Sequence, residues 1–248
     1  MKLSLITTTF NSSNTLLDTI QSVRSQGINE LEYIIVDGGS TDGTLELIQN
    51  NRDVISKFIS EPDNGIYDAI NKGIAIATGE VVGLIHSDDF FASNQVLGKV
   101  IEAFSDQDVD ALYGDLQYVD RTDSTKVVRN WKSKPYSDGL FEQGWMPAHP
   151  TFYLRRQYFK QFGVYDTDFY TSADYELMLR MLRKHKLRSK YLPITMVKMR
   201  VGGQSNVSLK NRWIANQEDV RAWEKNGLQI KPLTRWLKPL SKISQFFQ

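Results

Sequence analysis

Tyr33-Ile34-Ile35-Val36-Asp37-Gly38-Gly39-Ser40-Thr41-Asp42-Gly43-Thr44 decides the fold. An apolar, β-branched run gives way to paired glycines and then to Ser, Thr and Asp, which cap helices, so the stretch reads as strand, tight turn and helix start. The same rhythm repeats outward. Strands are expected at 3–7, 32–36, 54–59, 81–85 and 110–113, alternating with helices at about 14–26, 44–50, 66–77 and 93–104. Strands joined by crossover helices make an α/β fold with a mostly parallel sheet flanked by helices on both faces. Beyond about residue 115 the pattern shifts to strand-like pieces, Leu116–Val119, Lys126–Trp131 and Thr151–Leu154, which predict a smaller mixed-sheet extension. A helix from Asp174 to His185, a strand from Lys190 to Met199, a Gly202-Gly203 turn and a helix from about Leu209 to Glu224 follow.

At 248 residues with a net charge of +1, the chain fits one large domain and carries no overall nucleic-acid grip. It has no cysteine, so disulfides, thiolate metal sites and a cysteine nucleophile are excluded. The opening Met1-Lys2-Leu3-Ser4-Leu5-Ile6-Thr7 is too short an apolar run for a signal peptide, and no stretch approaches the ~20 apolar residues that span a bilayer. The expected location is cytoplasmic, with attachment to the inner face of the membrane left open.

Ligands of such sheets bind beyond the carboxyl ends of the strands. There the sequence collects Thr8, Thr9 and Asn11, then Asp37, then Glu61 and Asp63, then His86, Ser87, Asp88 and Asp89. Thr8-Thr9-Phe10-Asn11 offers no Gly-x-Gly-x-x-Gly, which argues against NAD or FAD. The adjacent carboxylates of Asp88 and Asp89 suit a hard divalent cation beside a diphosphate, or one of them caps the next helix. Asp174 falls at a helix start, where a capping role competes with a chemical one. His149, in Trp145-Met146-Pro147-Ala148-His149-Pro150, fits either a cleft wall or a packed loop; His185 sits beside lysines at a helix end, a favourable place for a cation. Trp131, Trp145, Tyr165 and Tyr170 serve equally as sugar platforms or as core.

The ordered series resembles family 2 bacterial glycosyltransferases of the GT-A fold, within them enzymes of O-antigen, capsule and colanic acid biosynthesis. The matching segments are Thr7 to Asn11, Asp37 to Thr44, His86-Ser87-Asp88-Asp89, and Asp174 to Arg180. Ser60 to Gly73, which includes Asp68 and Lys72, is similar to a subgroup of short polysaccharide enzymes. The resemblance runs from about residue 2 to 205.

It implies that Asp37 reads a uracil edge, with Phe10, Thr8 and Thr9 framing the nucleoside. It places Asp68, Lys72, Ser87, Asp88 and Arg200 toward the rest of the donor. Asp88, Asp89 and His86 would face Mn²⁺ or Mg²⁺, and Asp174 would be the general base on the acceptor hydroxyl. His149 and Trp145 would lie on the acceptor side. Two departures stand out: Gly38 replaces a second Asp common in relatives, and His86 replaces the first Asp of Asp-x-Asp.

The function expected is inverting transfer from a UDP-sugar, of glucose, galactose or an N-acetylhexosamine, to a saccharide acceptor on undecaprenyl diphosphate. A sugar nucleotidyltransferase, or an inactive nucleotide- or glycan-binding protein, are the alternatives. The glycosyltransferase domain is expected over 1–225. The tail at 226–248 is basic and amphipathic, and fits either an anionic membrane surface or a terminal helix packed on the domain.

Overall fold

In the computed structural model, residues 1–202, 209–230 and 234 are described. Strand β1 (Leu3–Thr9) is buried along its whole length and pairs in parallel with β2 (Leu31–Asp37) on one side and β4 (Val81–Leu84) on the other. β3 (Lys57–Ser60) extends this half in parallel from β2. The connections are α1 (Leu16–Arg24), α2 (Thr44–Asn50) and α3 (Ile66–Ile76). Alternate strand residues feed two cores. Ile6, Ile34 and Val36 pack under α3 with Ile70 and Ile74, while Leu3, Leu5, Tyr33 and Ile35 pack with Leu16 and Ile20 of α1.

The mixed half follows. β5 (Asp89–Phe91) precedes α4 (Val96–Phe104); β6 (Ala111–Val119), β7 (Val127–Trp131), β8 (Tyr153–Arg155) and β9 (Ser189–Arg200) complete one nine-stranded sheet. Its order is β3-β2-β1-β4-β8-β6-β9-β5, with β7 hydrogen-bonded to β6. β8 is antiparallel to both β4 and β6 and joins the two halves, whereas β6 and β9 run parallel. The remaining helices are α5 (Arg156–Phe162), α6 (Ala173–Met178) and α7 (Leu209–Lys225).

Several boundaries differ from expectation. The pieces at 110–113 and 116–119 form the single strand β6, because pairing with β9 carries it through Gly114 despite that residue's lack of a side chain. The strand expected at Thr151–Leu154 starts later, since His149–Thr151 winds into a 3₁₀ turn around Pro150. The helix expected from Asp174 to His185 is α-helical only to Met178, and Leu179–Lys184 continues it as a π-helical segment. β5 was not foreseen: three residues form a strand here because β9 offers an antiparallel partner.

Of the tail, Leu228 and Ile230 pack against the core that contains Phe141 and Trp223, and the Thr234 hydroxyl donates to the Glu142 carbonyl at 2.7 Å. The rest of the tail, with Trp236, Phe246 and Phe247, lies outside the described residues, as does the end of the Gly202-Gly203 turn.

The junction of the halves depends on a missing side chain. A Cβ on Gly83 of β4 would overlap the ring of Tyr153 of β8, and Tyr153 is fully buried with no room to retreat. Gly83→Ala is expected to destabilise the fold by about 1–3 kcal/mol through overpacking. Urea unfolding checks this, read as a lower midpoint with an unchanged slope.

Candidate active site

The carboxyl ends of β1 and β2 make the first wall. The Gly38 N–H donates to the Thr9 carbonyl at 2.9 Å. Asn11 adopts φ 49°, a left-handed conformation that asparagine tolerates, and is held by its N–H to Ser40 Oγ (2.8 Å) and by its side-chain oxygen to the Thr41 N–H (2.9 Å). Thr8 and Thr9 are buried, whereas Phe10 stands 61% exposed at the mouth. An aromatic face in that position is suited to stacking on a planar base.

Asp37, expected to read a base edge, stands at the carboxyl end of β2. It is fully buried, and its carboxylate accepts hydrogen bonds from the Gly39 N–H (3.0 Å), the Ser40 N–H (3.0 Å), Ser60 Oγ (2.7 Å) and Ser40 Oγ. These bonds tie the end of β2 to its own turn and to the end of β3. The absent side chain at Gly38 has a physical counterpart: a Cβ there would lie 2.5 Å from Asp63 Oδ2 and 3.4 Å from Phe10 Cδ2. Asp63 thus fills the space that a side chain at position 38 would need. The other oxygen of Asp63 accepts the Gly65 N–H at 2.9 Å.

Lys72 and Asp68, expected to face the donor, are engaged within the turn after β3. Lys72 Nζ lies 2.9 Å from Glu61, 2.9 Å from the Pro62 carbonyl and 3.6 Å from Asp68, whose carboxylate also accepts the Asn64 N–H at 3.0 Å. Arg200 is occupied too. It pairs with Asp18, donates to the Asp88 carbonyl at 2.8 Å and covers the Phe90 ring, its carbon 5.0 Å from the centroid. It fixes the turn that presents Asp88. Ser87 Oγ bonds to Ser12 Oγ at 2.9 Å, bridging this turn to the end of β1.

The three expected metal ligands do not converge. Among the described residues, no group of three or more His, Asp or Glu side chains is placed to hold an ion. Asp88 is half-exposed at the mouth, but Asp89, the first residue of β5, points into the interior with both carboxylate oxygens buried and unpartnered. Burial, and secondarily the charge of Asp88, push the Asp89 carboxyl well above its usual range. Asp89 therefore favours its neutral form, and Asp88 is the hard oxygen donor that fits a cation shared with a diphosphate.

The second wall centres on Asp174. Ser172 is the N-cap of α6, and Asp174 lies inside the first turn. The Asp174 carboxylate meets the Tyr67 hydroxyl at 3.4 Å and lies 3.9 Å from His149 Nδ1. His149 Nε2 bonds to the Tyr165 hydroxyl at 3.0 Å, and the His86 and His149 rings are 5.6 Å apart. This brings together residues from α3, the β4 end, the 3₁₀ turn and α6. Trp145 sits behind them in an aromatic cluster with Tyr113, Tyr136 and Phe141, and its indole N–H is buried without a hydrogen-bond partner. Burial lowers His149 to about 4; burial, followed by the proximity of His149, lowers His86 to about 4. Both imidazoles are neutral near pH 7. The sequence singled out His149, Asp174 and Tyr165, but it gave no signal that Tyr67 would meet Asp174 or that Tyr165 would bond His149.

The strand ends thus carry an exposed aromatic at Phe10 and carboxylates at Asp63 and Asp88, with Asp174 beside His149, and the sequence matches the profile described as "Glycosyl transferase family 2" over residues 4–185. The chain belongs to this family. An uncharacterized glycosyltransferase of Mycobacterium tuberculosis is 34% identical over 180 residues, 71% of this chain and 67% of the relative. A PGL/p-HBAD biosynthesis glycosyltransferase of Mycobacterium bovis is 26% identical over 252 residues, covering 96% and 92% of the two chains. Solved structures share the GT-A fold of the family. TarS 1–349 of S. aureus, in complex with UDP, matches with a TM-score of 0.67 at 17% identity over 96% of this chain and 70% of its own. A mannosyltransferase from Pyrobaculum calidifontis, in complex with GDP-Man and Mn²⁺, matches with a TM-score of 0.66 at 16% identity, covering 97% and 69%. Against a longer S. aureus TarS chain, this one spans 44% of the length.

The chain has three histidines, and their placement sets their titration. His86 and His149 are expected to stay neutral down to about pH 5 in histidine-selective NMR, and an apparent pKa of 6.5 for either would contradict this. The sign for stability follows. Between the unfolded value near 6.5 and the folded value of about 4, the unfolded chain binds more protons, so the contribution of His149 is present above that window and is lost as pH falls through it.

Proposed function

We propose that this family member transfers a sugar from a UDP-sugar to a saccharide acceptor with inversion, using Asp174 as general base. The observation that carries the reading is the Asp174 carboxylate, positioned beside Tyr67 and His149 and close to His86, at the end of β4 that leads to Asp88. The acceptor hydroxyl oxygen forms a bond to the anomeric carbon and its proton passes to Asp174. The anomeric carbon–oxygen bond breaks as UDP departs with the electron pair. Tyr67 and His149 orient the carboxylate. Phe10 stacks on the base, and Asp63, standing beside Gly38, takes the role of base-edge acceptor in place of the buried Asp37.

A divalent cation, when bound, supplies positive charge opposite the diphosphate, and Asp88 is the residue that would hold it. Uridine donors are favoured by the UDP complex of one structural neighbour, and a cation by the Mn²⁺ complex of another. Among the described residues no helix is long and apolar enough to cross a membrane. The basic, aromatic stretch after Lys231 would bring the enzyme to an anionic surface and so to a lipid diphosphate-linked acceptor in surface polysaccharide synthesis.

The test pairs calorimetry with turnover, after a screen of UDP-glucose, UDP-galactose and their N-acetyl forms against lipid diphosphate acceptors. Asp174→Asn is expected to keep UDP affinity and lose about 10²-fold or more in kcat, because the change lies on the acceptor side. Near-normal turnover by this variant would remove Asp174 from the reaction. In the same assay, EDTA is expected to abolish wild-type turnover, and Asp88→Asn to weaken its restoration by Mn²⁺.

A further inference from the structure

Helix α7 (Leu209–Lys225) lies beyond the segment matched by the family profile, yet it grips the chain on both sides of Asp174. Ahead of Asp174, the buried carboxylate of Glu218 accepts the backbone N–H groups of Tyr170 (2.6 Å), Thr171 (2.8 Å) and Ser172 (3.0 Å), and the Thr171 hydroxyl at 2.8 Å. Three consecutive N–H groups turned onto one carboxylate define the path of that loop. Ser172 is the N-cap of α6 but makes no side-chain cap bond, so Glu218 supplies the anchor that a cap would ordinarily give. After Asp174, the Trp223 indole donates to the Tyr175 hydroxyl at 2.8 Å and the Asn226 amide to Glu176 at 2.9 Å. From the other side of α6, Arg180 holds both oxygens of Glu176 at 2.9 Å and the carbonyls of Gly163 and Val164 at 2.8 and 2.7 Å.

We infer that Glu218 is a positioning residue for transfer: through the 170–172 loop it sets where the Asp174 carboxylate stands relative to the acceptor hydroxyl. The inference rests on the reading of Asp174 as the base. It follows from the arrangement that the same clamp displays Tyr170, 73% exposed, at the start of the base-bearing segment. Proton transfer in a displacement is sensitive to misplacement of about 1 Å, and loop 170–172 is where such an error would enter. Glu218 touches neither the donor wall nor the Phe10 platform, so its removal should separate the rate from donor binding.

The experiment uses the full chain and compares Glu218→Gln and Glu218→Asp with Asp174→Asn. UDP dissociation constants are measured by calorimetry, kcat and acceptor KM by turnover, and Tm by thermal unfolding. Glu218→Gln is expected to lower kcat about tenfold or more while the UDP Kd stays within about twofold and the protein remains folded at the assay temperature. Glu218→Asp, which keeps the charge, is expected to recover part of the rate. A Glu218→Gln rate within about twofold of wild type would overturn the inference, as would a loss that tracks an equal loss of UDP affinity or of folded fraction. Should Glu218→Gln not fold, Glu218→Asp against wild type gives the same comparison of rate with UDP affinity. If Asp174→Asn turns over normally, the reading of the base fails and the inference with it; if Asp174→Asn is inactive and Glu218→Gln is normal, the positioning role alone falls.

Discussion

A carboxylate with no access to water must find its hydrogen bonds within the protein, and Asp37 does so at the one point where three strands end. Removing such a group from water costs several kcal/mol unless it is fully satisfied, which forces the turn at 38–40 and the end of β3 into one arrangement. The Gly39 and Ser40 N–H groups and the Ser40 and Ser60 hydroxyls are that arrangement. With the turn fixed, Ser40 and Thr41 hold Asn11 in its left-handed conformation, Gly38 lies against Asp63, and Phe10 is left standing outward. The wall at the ends of β1 and β2 is thus built around a buried carboxylate.

The residues around Asp174 are organised by a different balance. Their titratable groups are packed closely enough that burial, more than neighbouring charge, decides their state: both histidines are pushed down to about 4. His149 lies 3.9 Å from the Asp174 carboxylate and bonds to Tyr165 through its other nitrogen. Elsewhere burial loses to hydrogen bonding. Burial raises the Glu32 carboxyl, but Ser4, the Thr78 backbone, Lys57 and the Thr78 hydroxyl together outweigh it and hold the group well below its ordinary range. That cluster lies at the amino ends of β1 and β2, where it contributes stability, present above the unfolded value near 4.5 and lost as pH falls below it.

The alternation of β-branched runs with amphipathic stretches made the parallel half legible, because crossover topology leaves its period in the sequence. The mixed half was harder to read. β5 is three residues long and exists through β9, and the 3₁₀ turn at His149 and the π-helical continuation of α6 answer to packing rather than to local preference. Of the residues singled out by motif, Asp88 is half-exposed and Asp174 lies in the first turn of α6, whereas Asp37, Lys72 and Arg200 spend polar atoms on the protein itself.

The sequence by itself determined the fold class, the family, and which carboxylates follow which strands, since these depend on period and order along the chain. Only the tertiary structure decided which of those groups face the cleft. Whether Asp89 points inward, whether Asp63 fills the space at Gly38, and whether Glu218 reaches the loop before Asp174 across 46 to 48 positions of chain all depend on contacts between distant segments, and no local pattern encodes them.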